Sequence, residues 1–229
     1  MIKGGSKTRI FIIFIFSGII LSTICQYSYA QPNPAFYGDA GSEVSGTYTI
    51  TIKKIEISQD GSTFITVGEG DLTFNIAGGS AGATIGNYVT NSSIPPGTYT
   101  TIRITLSRTI TIKGRSGNQG GNYYYTTTSA GQVSGFYKAG SVAVGSWPPG
   151  DYAAVSFQVP SDAEGEAGET LEIIGDDMRT TKDFVNPIVV KAGETQTISI
   201  SFNTQRMIGF EAAGPNYIFY PMPPEESAE

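Results

Sequence analysis

The chain has 229 residues, 14 Lys and Arg against 20 Asp and Glu, a formal charge of −6, no histidine and one cysteine. The acidic balance disfavours nucleic acid as a partner, the lack of histidine removes the commonest general base and metal ligand together, and a single cysteine closes no intrachain disulfide. Most hydrolase and zinc mechanisms are thereby excluded; the reading is of a protein that is not an enzyme, with no catalytic residue, no metal ligand and no cofactor.

Residues 1–30 read as a secretory signal peptide. Lys3, Lys7 and Arg9 are basic, Ile10 to Ile24 form an apolar run broken only by Ser17, Gly18, Ser22 and Thr23, and Ser28-Tyr29-Ala30 offers small residues before a cut at Gln31. The run is about 15 residues, short of the ~20 that a spanning helix needs. No membrane span is therefore expected after cleavage, and an uncleaved anchor is the alternative. Cys25 is a second alternative, as the lipid-bearing residue of a lipoprotein, but the branched Ile24 stands where that processing wants a small residue. Lys3-Gly4-Gly5 is like a pilin-type leader, yet Lys7 and Arg9 separate it from the apolar run. Cleavage leaves about 199 residues, enough for one domain. It removes three basic residues, so 11 Lys and Arg face 20 Asp and Glu and the charge moves from −6 to −9.

Residues 31–46 read as an N-terminal arm, 47–221 as a single domain and 222–229 as a flexible tail rich in Pro and Glu. Within the domain, period-two alternation of Thr, Ile, Val, Tyr and Phe predominates and no amphipathic helix is convincing. Tyr48, Ile50 and Ile52 share one parity, and Ile55 and Ile57 take the other after Lys53-Lys54, the signature of a bulged strand. Gln59-Asp60-Gly61-Ser62 then predicts a tight hairpin into a strand over 63–67. Leu72, Phe74 and Ile76 mark a third strand, followed by a small-residue loop over 77–93.

Ile102, Ile104, Leu106, Ile110 and Ile112 keep one parity and predict a long strand bent near Arg108. Further strands are expected over 123–127, 152–159, 171–174, 184–190 and 195–202, with a final pair around Ile208 and Tyr217. Nine or ten short strands without helices predict an all-β fold, an antiparallel β-sandwich of immunoglobulin- or transthyretin-like architecture.

One pattern occurs twice. Ile94-Pro95-Pro96-Gly97-Thr98-Tyr99 leads into Ile102-Arg103-Ile104, and Trp147-Pro148-Pro149-Gly150-Asp151-Tyr152 leads into Val155-Ser156-Phe157. Proline fixes φ, glycine permits the reversal, and the tyrosine is expected to pack its ring and donate its hydroxyl to the backbone, as at a recurring sandwich corner. The other reading is a duplicated ligand loop. Ala192-Gly193-Glu194-Thr195 before Ile198-Ser199-Ile200-Ser201-Phe202 is a looser third version. With these turns the stretch from Thr47 to Pro221 resembles a family of exported β-sandwich domains of unknown function found in bacterial envelope lipoproteins. The resemblance implies fold and compartment, and no activity or site.

The acids give little chemistry. Those between Asp162 and Glu172 lie among Gly and Ala and read as a solvated loop. Asp176, Asp177 and Asp183 supply oxygen ligands suited to Ca²⁺ but lack the order of a calcium loop. Asn91-Ser92-Ser93 is a formal glycosylation acceptor.

The aromatics lead further. A polar stretch from Gly114 to Asn122 runs into Tyr123-Tyr124-Tyr125, where alternation sends neighbouring rings to opposite faces. At least one of these tyrosines is expected to be exposed. Tyr123, Tyr124, Tyr125 and the lone tryptophan, Trp147, form the candidate ligand site, suited to carbohydrate stacking or a protein contact. As a packing residue, Trp147 is expected to plug the core.

The function expected from the sequence is a non-catalytic structural or interaction domain, extracellular, on the cell surface or periplasmic. Its partner would be another protein or a second copy, reached through an edge strand, and a filament subunit is one form of it. The alternative is a carbohydrate-binding module built on the same aromatics. A carboxylate-dependent hydrolase is the third and weakest reading.

Overall fold

The computed structural model describes residues 34–41, 44–78, 94–161, 163, 165, 168–192 and 206–222, and the backbone of four further strands at 10–15, 84–87, 196–203 and 225–228. In chain order the strands are β1 (Ile10–Ile15), β2 (Phe36–Asp39), β3 (Thr47–Ser58), β4 (Phe64–Asn75), β5 (Thr84–Asn87), β6 (Gly97–Ser107), β7 (Thr109–Lys113), β8 (Arg115–Ser116) and β9 (Asn122–Tyr125). They continue with β10 (Gln132–Val133), β11 (Phe136–Tyr137), β12 (Gly140–Ala143), β13 (Val155–Gln158), β14 (Glu169–Ile174), β15 (Asp177–Val190), β16 (Gln196–Asn203), β17 (Ile208–Ala213), β18 (Asn216–Pro221) and β19 (Glu225–Ala228).

Among the described residues the chain is all-β and, apart from one parallel pair, antiparallel: a β-sandwich with more strands than the nine or ten expected. The bulge in β3 organises the first sheet. Its register against both β4 and β6 shifts between Ile52 and Lys54. The extra residue lets Tyr48, Ile50 and Ile52 on one parity and Ile55 and Ile57 on the other all reach the core. At the end of β3, Asp60 accepts hydrogen bonds from the backbone N–H groups of Ser62 and Thr63, and Gly61 supplies a φ of 72°. These bonds hold the Asp60 carboxyl well below its usual range. The hairpin stands where Asp-Gly placed it.

The strands expected over 63–67 and from Leu72 to Ile76 are one strand, β4, with a second register shift near Gly68. On the other side of β3, β7 pairs with its first residues and β6 with its second half. The break between β6 and β7 is at Arg108, whose guanidinium donates to the carbonyls of Val159 and Gly175. Those three bonds tie the bend to the segments on either side of it. β13 extends the sheet beyond β7, and β15 and β14 extend it beyond β6.

The second sheet runs β12-β9-β8-β2-β17-β18. Lys138 bridges to Ile218 of β18 and Gly140–Ala143 pair with β9, so one short segment joins the two ends of this sheet. Its inner face carries Phe36, Tyr124, Phe210, Tyr217 and Phe219 in ring contact. Phe210 and Phe219 are fully buried against Ile208 and the first sheet's isoleucines. Fully burying a side chain of this size contributes about 1.5–3 kcal/mol. Phe36–Asp39, read from the sequence as arm, is a strand of this sheet: four residues ending in Gly-Asp carry too little alternation to be seen alone.

A third group runs β19-β16-β1-β5, with β1 parallel to β16. It holds Ile10–Ile15 of the leader's apolar run as β1, and the segment read as a flexible tail contributes β19. Cys25, the proposed cut at Ser28 to Ala30, Asn91-Ser92-Ser93 and Gly193 to Thr195 lie outside the described residues.

Both proline turns place their tyrosines as expected. Tyr99 is fully buried and its hydroxyl donates to the Pro95 carbonyl at 2.9 Å. The Tyr152 hydroxyl donates across the molecule to the Val44 carbonyl, also at 2.9 Å.

Candidate functional site

Pairing in the second sheet decides which tyrosines meet. β9 alternates, so Tyr124 joins the inner aromatic face with Phe36 and Tyr217, while Tyr123 and Tyr125 stand on the outer face. Trp147 follows a short 3-10 turn over Val144–Ser146, whose first residue is tied by its N–H to the Gly121 carbonyl. That bond brings the tryptophan beside β9. Its ring meets Tyr123 at 5.7 Å, Tyr125 at 6.0 Å and Tyr152 at 4.7 Å between centroids, each edge to face.

Three of the four candidates are thus brought together, and Tyr124 is not. Trp147 is half-buried and outside the main core, which corrects the expectation that it plugs the core. The reason is its position: the turn hangs on the outer face of the second sheet, away from the sandwich interior. No tyrosine of the triplet is fully exposed, since Tyr123 and Tyr124 are half-buried and Tyr125 is buried.

Arg115 completes the cluster. It pairs across the strands with Tyr125, and its guanidinium lies 3.8 Å from the Tyr123 ring centroid and 5.0 Å from that of Trp147. Lys113 Nζ stands 4.4 Å from the Tyr152 ring centroid. Asp151 closes the base, accepting hydrogen bonds from the Tyr125 hydroxyl at 2.7 Å and the Thr127 hydroxyl at 3.2 Å. Burial, reinforced by Asp151, pushes the Tyr125 hydroxyl up to about 12. Burial also raises Tyr152, opposed by Arg115 and reinforced by Asp39.

The sequence signal for Arg115 was its place in the polar stretch before Tyr123, and that for Tyr152 was the proline turn. Nothing local announced that both would face Trp147. The patch has rings, two cations and a hydrogen-bonded base, a set suited to holding a ligand.

The carboxylates elsewhere are dispersed. Asp177 pairs with Lys53 at 2.5 Å, Asp183 accepts from Thr101 and Asp176 from Gln158. Among the described residues no group of three or more metal-ligating side chains gathers, and no helix is long and apolar enough to cross a membrane.

No curated protein and no solved structure matches the chain. The profile of a family described as a domain of unknown function (DUF4382) matches residues 39–221, beginning in β2 and ending with β18. That span takes in the first two sheets, apart from Phe36, Tyr37 and Gly38 of β2, and the whole of the aromatic patch, and the chain belongs to the DUF4382 family.

Proposed function

We propose that the chain is an exported, non-catalytic interaction domain of the cell surface or envelope, and that the patch of Trp147, Tyr123, Arg115 and Tyr152 is its contact surface. The observation that carries this reading is the half-exposed Trp147 standing outside the core with Arg115 stacked beside it. Tryptophan, tyrosine and arginine are the residues that concentrate binding energy at interfaces. A carbohydrate-binding module is the second reading, favoured by the polar stretch with Asn118, Gln119 and Asn122 beside the rings. Export rests on the basic start, the apolar run and the small residues before Gln31.

The test uses the secreted protein. Its intact mass is expected to begin at Gln31, and the labelled domain is expected to bind saturably to intact cells of the producing strain. Retention of the leader, lipid on Cys25 or absence of saturable binding would overturn the respective part.

A further inference from the structure

Glycines in this fold have two common reasons. Some sit where a Cβ would collide, as at Gly140, and others where φ is positive, as at Gly61. Gly117, Gly145 and Gly150 have neither: their φ is ordinary and a Cβ would meet nothing within 4 Å. All three are exposed. All three also flank the patch, Gly117 just after Arg115, Gly145 just before Trp147 and Gly150 just after it. Neither backbone angle nor packing requires glycine there, not even at the Gly150 reversal read from the sequence, and a bare backbone leaves room for another molecule to approach closely.

The second observation is the unspent capacity of Arg115. Arg103 pairs with Glu56, Arg179 with Glu172, and Arg108 donates to two carbonyls. Arg115 makes one hydrogen bond, from Nη1 to the Ser116 carbonyl, and its Nε is buried without a partner. No described carboxylate lies within ion-pair distance of it. A guanidinium carries five N–H donors, and a planar carboxylate can meet its fork with two parallel hydrogen bonds.

Resting on the reading of this patch as a contact surface, we propose that its ligand is an acidic saccharide. Arg115 receives the sugar carboxylate, Trp147 presents its ring to the C–H face of the sugar with Tyr123 set edge to face beside it, and Gly117, Gly145 and Gly150 form a rim without side chains over which the sugar settles. A rigid pyranose needs such clearance around its ring. A bulky rim would hold it off the tryptophan.

Trp147 is the only tryptophan, so its emission reports the site directly. The full mature domain is titrated with oligogalacturonate, hyaluronan oligosaccharides and sialyllactose, and with carboxyl-reduced forms of each. At least one acidic ligand is expected to shift the emission saturably and to bind about tenfold or more tighter than its reduced form, the scale of one charge-assisted contact. Arg115→Gln is expected to erase that difference. Gly145→Ala and Gly150→Ala are expected to weaken binding with the melting temperature unchanged or raised. Equal binding of acidic and reduced forms overturns the role of Arg115. Wild-type binding by both glycine variants overturns the rim. No binding to any of the sugars overturns the saccharide proposal, while saturable binding to cells would still uphold the contact surface.

Discussion

The ring of Tyr125 lies across Gly140, so closely that a Cβ on the glycine would stand 2.2 Å from the ring's Cζ and 2.6 Å from its hydroxyl oxygen. The cross-strand pairing of these two residues aims the hydroxyl at Asp151 and sets the floor on which Trp147 rests.

Gly140→Ala is therefore expected to displace the ring and cost about 1–3 kcal/mol, the range for overpacking a filled site. Chemical denaturation measures the loss. Ultraviolet titration supplies a second readout, because burial and then Asp151 push the Tyr125 hydroxyl up to about 12, and freed of both it should ionise nearer 10. A raised native value means that stability falls as pH climbs from the unfolded value toward 12, and the variant should lose part of that slope.

Glu56 is a carboxylate only 5% exposed on β3, held by Arg103 at 2.8 Å and Lys54 at 3.0 Å, with Arg103 lying over the Phe64 ring. Burial alone would raise it, but its hydrogen bonds to Arg103 and Lys54 bring it below its usual value. A depressed carboxylate stabilises the fold above its unfolded pKa, near 4.5, and that contribution is lost as pH falls through the native value. Glu56→Gln should cost about 1.5–3 kcal/mol at neutral pH, the range for charge-assisted bonds. Thermal melts from pH 7 downward should converge with the wild type once the carboxylate is protonated. A constant gap across the range would contradict this.

How far the sequence reaches is visible in β3 and β4. The parity change after Lys53-Lys54 and the Asp60-Gly61 turn are local signals, and both appear where they point. Gly68 to Asp71 looked like an interruption because glycine and acids are poor strand formers, yet pairing with β3 carries the strand through them. The same limit governed the site. Alternation separated Tyr124 from Tyr123 and Tyr125, but only the second sheet's register and the Val144–Gly121 bond bring Trp147 and Arg115 to them. Single-residue patterns carry no information about such long-range contacts.

Glu211 on β17 has the opposite character to Glu56. Its Oε2 is buried without a hydrogen bond, and burial raises its pKa. A carboxylate raised in the fold subtracts stability above its native pKa, and the loss is relieved as pH falls through that value. Glu211→Gln should accordingly raise the melting temperature at pH 7. The gain should vanish below about pH 4, where the unfolded carboxylate is protonated as well. A lower melting temperature at pH 7 would show that the charge has a favourable role.

The reading of the patch as a contact surface is tested most directly by Trp147→Ala, with cell-surface binding and melting temperature measured on the same preparation. A half-buried ring outside the core should cost less than the ~3–5 kcal/mol of an aromatic core truncation, while saturable binding should fall about tenfold or more, as at an interface hot spot. Unchanged binding with a stability loss of core size would make Trp147 a packing residue and contradict the account.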